Sequence, residues 1–212
     1  MIVTQKQLKL RIKETNMSAT RYTKTAVILH WLIALGIFTL FGIGWFMADL
    51  PKKVPDQSSF DLFDLGIFSW SVGAPISPRA FYFNLHKSIG VTVFALILIR
   101  ILWRFTHKPP TLLTSYKEIE RKVATGAHLL LYVLMFALPF SGLKTAIYSK
   151  YGVKWFGMPF ISGVEDKVTR DFWVEAHETI GIVLLVIVGI HVLGALKHKF
   201  IDKDETLSRM KL

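Results

Sequence analysis

The sequence predicts an all-α integral membrane protein: a bundle of four transmembrane helices with both chain termini in the cytoplasm. Three observations predict this class. Of 212 residues, 52% are hydrophobic and only 19% are charged, with a mean hydropathy of +0.42. The apolar residues collect into four long stretches, and the basic residues collect between alternate stretches. A soluble domain rarely combines these features.

Three of the four stretches contain no charged residue: residues 25–48, 123–143 and 179–196. About 20 helical residues cross the hydrocarbon core of a bilayer, so each stretch predicts one transmembrane helix. The last stretch reaches that length with the apolar residues 172–174 before it. Pro139 lies late in the third stretch and predicts a kink there.

The remaining stretch, at about residues 80–103, is interrupted by Lys87 and Arg100. Both lie near its ends, where a long aliphatic stem lets the charged group reach the membrane surface. We therefore predict a transmembrane helix here as well, the second in chain order.

The distribution of charge predicts the topology. Residues 1–24, 100–122 and 197–212 hold 17 Lys/Arg and 6 Asp/Glu, whereas residues 49–87 and 144–178 hold nine of each. The whole net charge of +11 therefore lies on one side of the membrane, which the positive-inside rule assigns to the cytoplasm. The basic balance reflects topology, and we expect no nucleic-acid partner.

The predicted organisation is a cytoplasmic arm without fixed structure at residues 1–21, a membrane domain at residues 22–200 and a cytoplasmic tail at residues 201–212. We find no cleavable signal peptide, and translation could start at Met1 or Met17. In the first outer connection, the aromatic stretch at residues 60–70 is predicted to lie in the membrane interface.

The absence of cysteine restricts the cofactor. It excludes thiolate iron–sulfur clusters, zinc–thiolate sites and covalently attached c-type haem. A bound metal must be held by other side chains, and histidines inside the membrane are the first candidates.

His177 and His191 lie in the fourth stretch, fourteen residues apart. On one helix this spacing corresponds to about 21 Å along the axis and about 40° of rotation, so the two share a face. His86 has the same depth as His177, and His30 the same depth as His191. These matches predict an outer pair, His86 with His177, and a cytoplasmic pair, His30 with His191. Two b-type haems with bis-histidine ligation fit this arrangement.

Small residues support the same four histidines. Each has glycine or alanine four positions later on the same helix face, where a flat porphyrin needs room: Ala34, Gly90, Gly181 and Ala195. The other three histidines, His107, His128 and His198, lack this feature. Small residues are also common where membrane helices pack closely. His128 could replace His30 as a ligand, or act as a second-shell or quinone-contacting group.

Several motifs resemble the bacterial cytochrome b561 family, inner-membrane dihaem cytochromes that include superoxide oxidase. The motifs are LHW (residues 29–31), LHKSIG (85–90), RILWR (100–104), AHLLLYVLMFALPFSG (127–142) and the tail ALKHKFIDKDETLSRM (195–210). The resemblance covers residues 22–210. It implies a four-helix dihaem cytochrome b domain with the same two ligand pairs.

The resemblance also implies a ubiquinone site near the cytoplasmic haem, for which position favours His128 and His198, with Arg100 and Arg104 as neighbours or as simple membrane anchors. Electrons would pass between the quinone pool and a periplasmic donor, such as superoxide. The outer connections carry no net charge to attract that anion, although Lys52, Lys53, Arg79 and Lys87 could form a local basic patch or pair with haem propionates.

Two other functions remain open at this point. The chain could be the haem-bearing membrane subunit of a periplasmic dehydrogenase or hydrogenase, or a small transporter with titrating histidines. Against transport, the sequence contains no internal repeat and its acidic residues avoid the apolar stretches.

Overall fold

The computed structural model describes residues 21–62, 65–111 and 117–212. Within these residues, four helices are long and apolar enough to cross a membrane, which confirms the predicted class. They are α1 (Lys24–Asp49), α2 (Pro78–Thr106), α3 (Glu118–Ile147) and α4 (Lys167–Lys197). A π-helical turn (His198–Asp202) and a 3-10 turn (Ser208–Met210) follow α4. Helix α3 continues through Pro139, and the kink remains a prediction.

Side chains in the sequence fix where three of these helices begin. The Thr23 and Ser77 hydroxyls accept hydrogen bonds from the backbone N–H groups of Ala26 and Ala80, both at 3.2 Å. Asp166 accepts the N–H of Thr169 at 3.1 Å before α4. Such N-caps satisfy amide groups that have no partner within the helix.

Two short antiparallel hairpins interrupt the helical pattern. Strands β1 (Gln57–Asp61) and β2 (Ser69–Ile76) form the first, and β3 (Val153–Trp155) and β4 (Met158–Ile161) form the second. The turn of the second hairpin contains Phe156 and Gly157, both with positive φ, as tight hairpin turns require. The sequence reasoning did not predict these strands.

The first hairpin packs on the outer ends of α1 and α2. Phe60 of β1 stacks on Phe81 with ring centres 4.1 Å apart, and both join Ile43 and Tyr82 in a buried cluster. The Tyr82 hydroxyl donates to the Asp61 carbonyl at 3.0 Å. Leu65 and Ile67, toward the tip, are exposed, so interfacial placement of this segment remains a prediction. Phe63 and Asp64 of the aromatic stretch lie outside the described residues.

The chain divides into two compact units. The first unit combines Met1–Leu32, Leu96–Ala137 and Ile180–Leu212, and the second combines Ile33–Ala95 with Leu138–Thr179. The cytoplasmic pair belongs to the first unit and the outer pair to the second. The predicted arm falls almost wholly on residues 1–20, outside the described residues, and the predicted domain boundaries remain predictions.

The tail after α4 is part of the first unit. The Trp31 indole donates to the Met210 carbonyl at 3.0 Å, and the Arg209 guanidinium donates to the Thr111 carbonyl at 2.6 Å. The tail therefore contacts the segment around His30, one residue before Trp31.

Candidate functional site: two histidine pairs

The second unit brings His86 and His177 together. Their ring centres are 6.3 Å apart and their planes are nearly perpendicular, at 84°. His86 comes from α2 and His177 from α4, as the depth argument predicted. Both rings are only partly accessible to solvent.

The surroundings of His177 determine which of its two ring nitrogens carries the proton. Nδ1 lies 2.9 Å from the Leu138 carbonyl and 3.1 Å from the hydroxyl of the fully buried Ser141. Because the carbonyl can only accept, Nδ1 carries the proton in that bond. The lone pair is then on Nε2, which is the arrangement seen in metal-ligating histidines.

Gly142 makes room for this imidazole. A Cβ atom added at Gly142 would lie 2.8 Å from Cε1 and 3.1 Å from Nδ1 of His177, closer than real side chains approach. The corresponding glycine near the partner ring, Gly44, is less constrained, because its Cβ would lie 3.6 Å from His86 Cε1, an ordinary contact. Sequence reasoning missed Ser141 and Gly142, although both stand in the third-helix motif.

His86 has a different environment. The Leu40 backbone interacts with its ring. However, the buried Nδ1 atom has no hydrogen-bond partner of good geometry among the described residues. A buried polar nitrogen without a partner is costly in an apo protein. The ring can ligate a metal through its other nitrogen, Nε2.

The first unit brings three histidines together. His30 and His191 have ring centres 6.3 Å apart at 74°, and His128 and His191 have ring centres 5.7 Å apart at 66°. The structure thus places His128 as a direct neighbour of His191, as well as the predicted His30.

The ring-centre distance to His191 differs between the two alternative ligands, His30 and His128. In a linear imidazole–metal–imidazole unit the ring centres are roughly 6.4 Å apart, because each metal–nitrogen bond is about 2.0 Å and the ring centre lies roughly 1.2 Å further. The 6.3 Å of both predicted pairs matches this value, and the 5.7 Å of His128 with His191 is shorter. Without cysteine ligands, paired imidazoles suit haem iron.

The small neighbours of the histidines give a mixed result. A Cβ at Gly90 would meet nothing within 4 Å, so the face beside His86 is open, as a porphyrin requires. Gly181, beside His177, is buried by the protein itself. The open face at Gly90 is compatible with the predicted porphyrin, whereas Gly181 belongs to the packing of the protein itself.

His198 lies in a polar cluster after α4. Its Nδ1 is 2.8 Å from Asp204 and 3.0 Å from Asp202. Burial would raise the pKa of Asp204, but hydrogen bonds from Thr206 and His198 outweigh it and hold that pKa below its ordinary value. The ammonium group of Lys197 is 2.7 Å from Asp202, so the cluster already contains a cation.

Two basic residues of the predicted outer patch donate hydrogen bonds to backbone carbonyl groups. Lys87 donates to the Gly152 carbonyl at 2.9 Å, and Arg79 donates to the Leu50 carbonyl at 2.8 Å and the Met47 carbonyl at 3.2 Å. Their hydrogen bonds therefore serve the fold. Lys52 and Lys53 are exposed.

Comparison with known proteins gives a consistent result. A family model described as prokaryotic cytochrome b561 matches residues 21–211. The chain is 34% identical to cytochrome b561 homolog 2 of Escherichia coli, covering 90% of both chains. It is 25% identical to the probable superoxide oxidase CybB of Yersinia pestis, covering 90% of this chain and 95% of that one. It is 28% identical to cytochrome b562 of Cereibacter sphaeroides, covering 89% and 94%.

Proposed function

The chain belongs to the prokaryotic cytochrome b561 family of membrane electron-transfer proteins, which implies b-type haem, and on that premise we propose that it holds two b haems with bis-histidine ligation and connects a periplasmic redox partner to the ubiquinone pool of the bacterial inner membrane. A b haem supplies a one-electron couple at its iron. The protein supplies the ligands, the insulating surroundings and the docking sites.

The observation that carries this proposal is the equal spacing of the two histidine pairs. Both have ring centres 6.3 Å apart, close to the value for a metal between two imidazoles. We assign His30 and His191 to one haem and His86 and His177 to the other. Two histidine ligands would leave the iron no open position, which would favour electron transfer over oxygen chemistry.

We place the quinone site on the cytoplasmic side. His128 lies beside His191, and His198 is hydrogen-bonded to acidic groups that can exchange protons with the cytoplasm. Quinone reduction consumes protons as well as electrons, so imidazole and carboxylate groups suit that site. In this assignment His128 and His198 contact quinone or stand behind the groups that do.

We propose superoxide as the outer electron donor. The support is the similarity to a relative that is described as a probable superoxide oxidase. The reaction would make the chain a superoxide:ubiquinone oxidoreductase, in which each superoxide loses one electron to become dioxygen, and two such electrons with two protons reduce one quinone to quinol.

One observation favours the alternative, a haem-bearing membrane subunit of a periplasmic dehydrogenase or hydrogenase. The outer hairpin exposes Leu65, Ile67 and Phe68, with Ile67 82% exposed. Exposed apolar residues of this kind mark a protein interface or a membrane contact. Copurification of a periplasmic partner with the chain would support this alternative.

Proteoliposomes test the proposed function. The chain is reconstituted with ubiquinone, superoxide is generated outside, and haem and quinone reduction are followed by absorbance. We expect both to become reduced, with loss of reduction in His177→Ala and retention in His107→Ala, a control whose ring stacks on Trp103 at 3.8 Å instead of joining a pair. If the intact chain shows no reduction by superoxide, the donor assignment is wrong.

A further inference from the structure

An arginine of α2 stands beside the cytoplasmic histidine pair. Arg100 lies in α2, is half-buried, and donates to the Ala26 carbonyl at 3.2 Å and to the Tyr132 hydroxyl at 3.4 Å. A charged side chain within a membrane-spanning segment is costly, and it is usually found where function needs it.

Both contacts locate the guanidinium at the histidines. Ala26 is four residues before His30 on α1, and Tyr132 is four residues after His128 on α3, so each contact is one helical turn from an imidazole on the same face. Arg100 also interacts electrostatically with His30, His128 and His191. The cation therefore faces the whole cluster.

No acid neutralises this charge among the described residues. Glu120 and Asp202 of the first unit pair with Lys197, and Glu118 pairs with Lys122. The described oxygen atoms to which Arg100 donates, on Ala26 and Tyr132, are neutral. Its positive charge therefore acts on the cytoplasmic pair without a neutralising acid among these residues.

The outer pair has different surroundings. Among the described residues, the charged group that interacts with His177 is an acid, Glu178, and the ionisable group that interacts with His86 is His177. Lys87 follows His86 in the sequence, but its ammonium group is directed to the Gly152 carbonyl. Exposed Glu178 is screened by solvent, so its effect is small.

Charge near a haem changes its reduction potential, because the reduced form carries one more electron than the oxidised form. A fixed cation stabilises the reduced form and raises the potential, most strongly where water is excluded. We propose that Arg100 raises the potential of the haem at the cytoplasmic pair above that of the haem at the outer pair. Electron flow is then favourable inward, toward quinone. This inference rests on the proposed function and adds its direction.

A redox titration of the purified protein, followed by absorbance, tests the inference. Wild type gives two components, and the one that His30→Ala removes is assigned to the cytoplasmic pair. We expect that component to be the higher in potential and to fall in Arg100→Gln, on the order of tenfold in its equilibrium constant, or about 59 mV for one electron. Arg100→Lys keeps the charge and is expected to retain most of the potential.

Lys122→Gln is the control. Lys122 lies near the start of α3, is exposed, and its ammonium group pairs with Glu118 at 2.7 Å. We expect both potentials to stay within error of wild type in this variant, because solvent screens its charge.

Three results would overturn the inference. The cytoplasmic component could be the lower of the two in wild type. Both potentials could stay unchanged in an Arg100→Gln protein that holds both haems. The potential of the cytoplasmic component could fall as far in Arg100→Lys as in Arg100→Gln, which would make the hydrogen bonds of the arginine responsible and not its charge. If Arg100→Gln loses haem, the potential of Arg100→Lys decides between charge and hydrogen bonds. Fewer than two haems in wild type would instead refute the proposed function itself.

Discussion

At the scale of single residues, the packing of α3 around the His177 imidazole matters as much as the presence of the histidine itself. The sequence predicts His177 as a ligand, but the hydrogen bond from Nδ1 to Leu138 and the close approach of Gly142 arise only when α3 and α4 pack together. A glycine in a membrane helix has many uses, so its sequence position alone could not predict this contact.

Gly142→Ala is expected to lose the haem at the outer pair, because the new methyl group would displace the His177 imidazole from a contact already at 2.8 Å. The measurement is haem per protein, with reduced-minus-oxidised spectra. Gly44→Ala is the control: its methyl group meets His86 at 3.6 Å, and both haems should be retained. Equal haem content in the two variants would contradict this account of Gly142.

His30 and His128 are the two candidates for the second ligand of the proposed cytoplasmic haem. We expect His30→Ala to lose that haem and His128→Ala to keep it, because only His30 has the 6.3 Å spacing from His191 that matches the outer pair. Absorption spectra of the two purified variants decide the question. Loss of haem in His128→Ala with retention in His30→Ala would reverse the assignment.

At the scale of elements, the second hairpin is attached to α2 beside His86. The Ser88 hydroxyl, on a fully buried side chain, donates to the Asn84 carbonyl at 2.7 Å, contacts the Lys154 carbonyl at 3.1 Å and accepts the Phe156 N–H at 3.0 Å. The Trp155 indole donates to Thr92 at 3.1 Å. These contacts hold a short strand pair that is too small to be stable alone.

Ser88→Ala is expected to loosen the β3–β4 hairpin, because the Phe156 N–H and the Lys154 carbonyl both lose a partner. Trypsin should then cleave after Lys154 faster than in wild type. Thr125→Ala, whose hydroxyl bonds only within its own helix to the Arg121 carbonyl, should leave the cleavage rate unchanged. Unchanged cleavage in Ser88→Ala would show that this attachment is unimportant.

Asp166 makes the stability of the start of α4 depend on pH. Hydrogen bonds from the Thr169 side chain and backbone hold the pKa of Asp166 below its ordinary 3.8. A carboxylate whose folded pKa is lowered stabilises the folded state fully above its unfolded pKa and loses that effect as pH falls through the folded value. We expect Asp166→Asn to have a lower Tm than wild type at pH 7, with the difference shrinking below pH 3.8. A constant difference across that range would contradict the assignment.

At the scale of the whole molecule, composition and charge were sufficient to predict four membrane-spanning helices, because about 20 apolar residues leave few other structures. The hairpins were not predicted: in β1 only Phe60 is buried, and the alternation of apolar residues in β2, from Trp70 to Ile76, was a signal that the sequence reasoning missed. The histidine pairs could be predicted from depth on the helices. Position along the helices could not decide whether His128 or His30 lies closer to His191. The proposed role of Arg100 depends on contacts between helices, which the sequence does not reveal.

The central claim is that each histidine pair holds one haem, and the most direct measurement is haem stoichiometry in protein purified from haem-replete cells. We predict two haems b per chain in wild type and in His107→Ala. We predict one in each of His30→Ala, His86→Ala, His177→Ala and His191→Ala, with the same component lost within a pair and different components lost between pairs. Fewer than two haems in wild type, or loss of the same component from both pairs, would contradict the account.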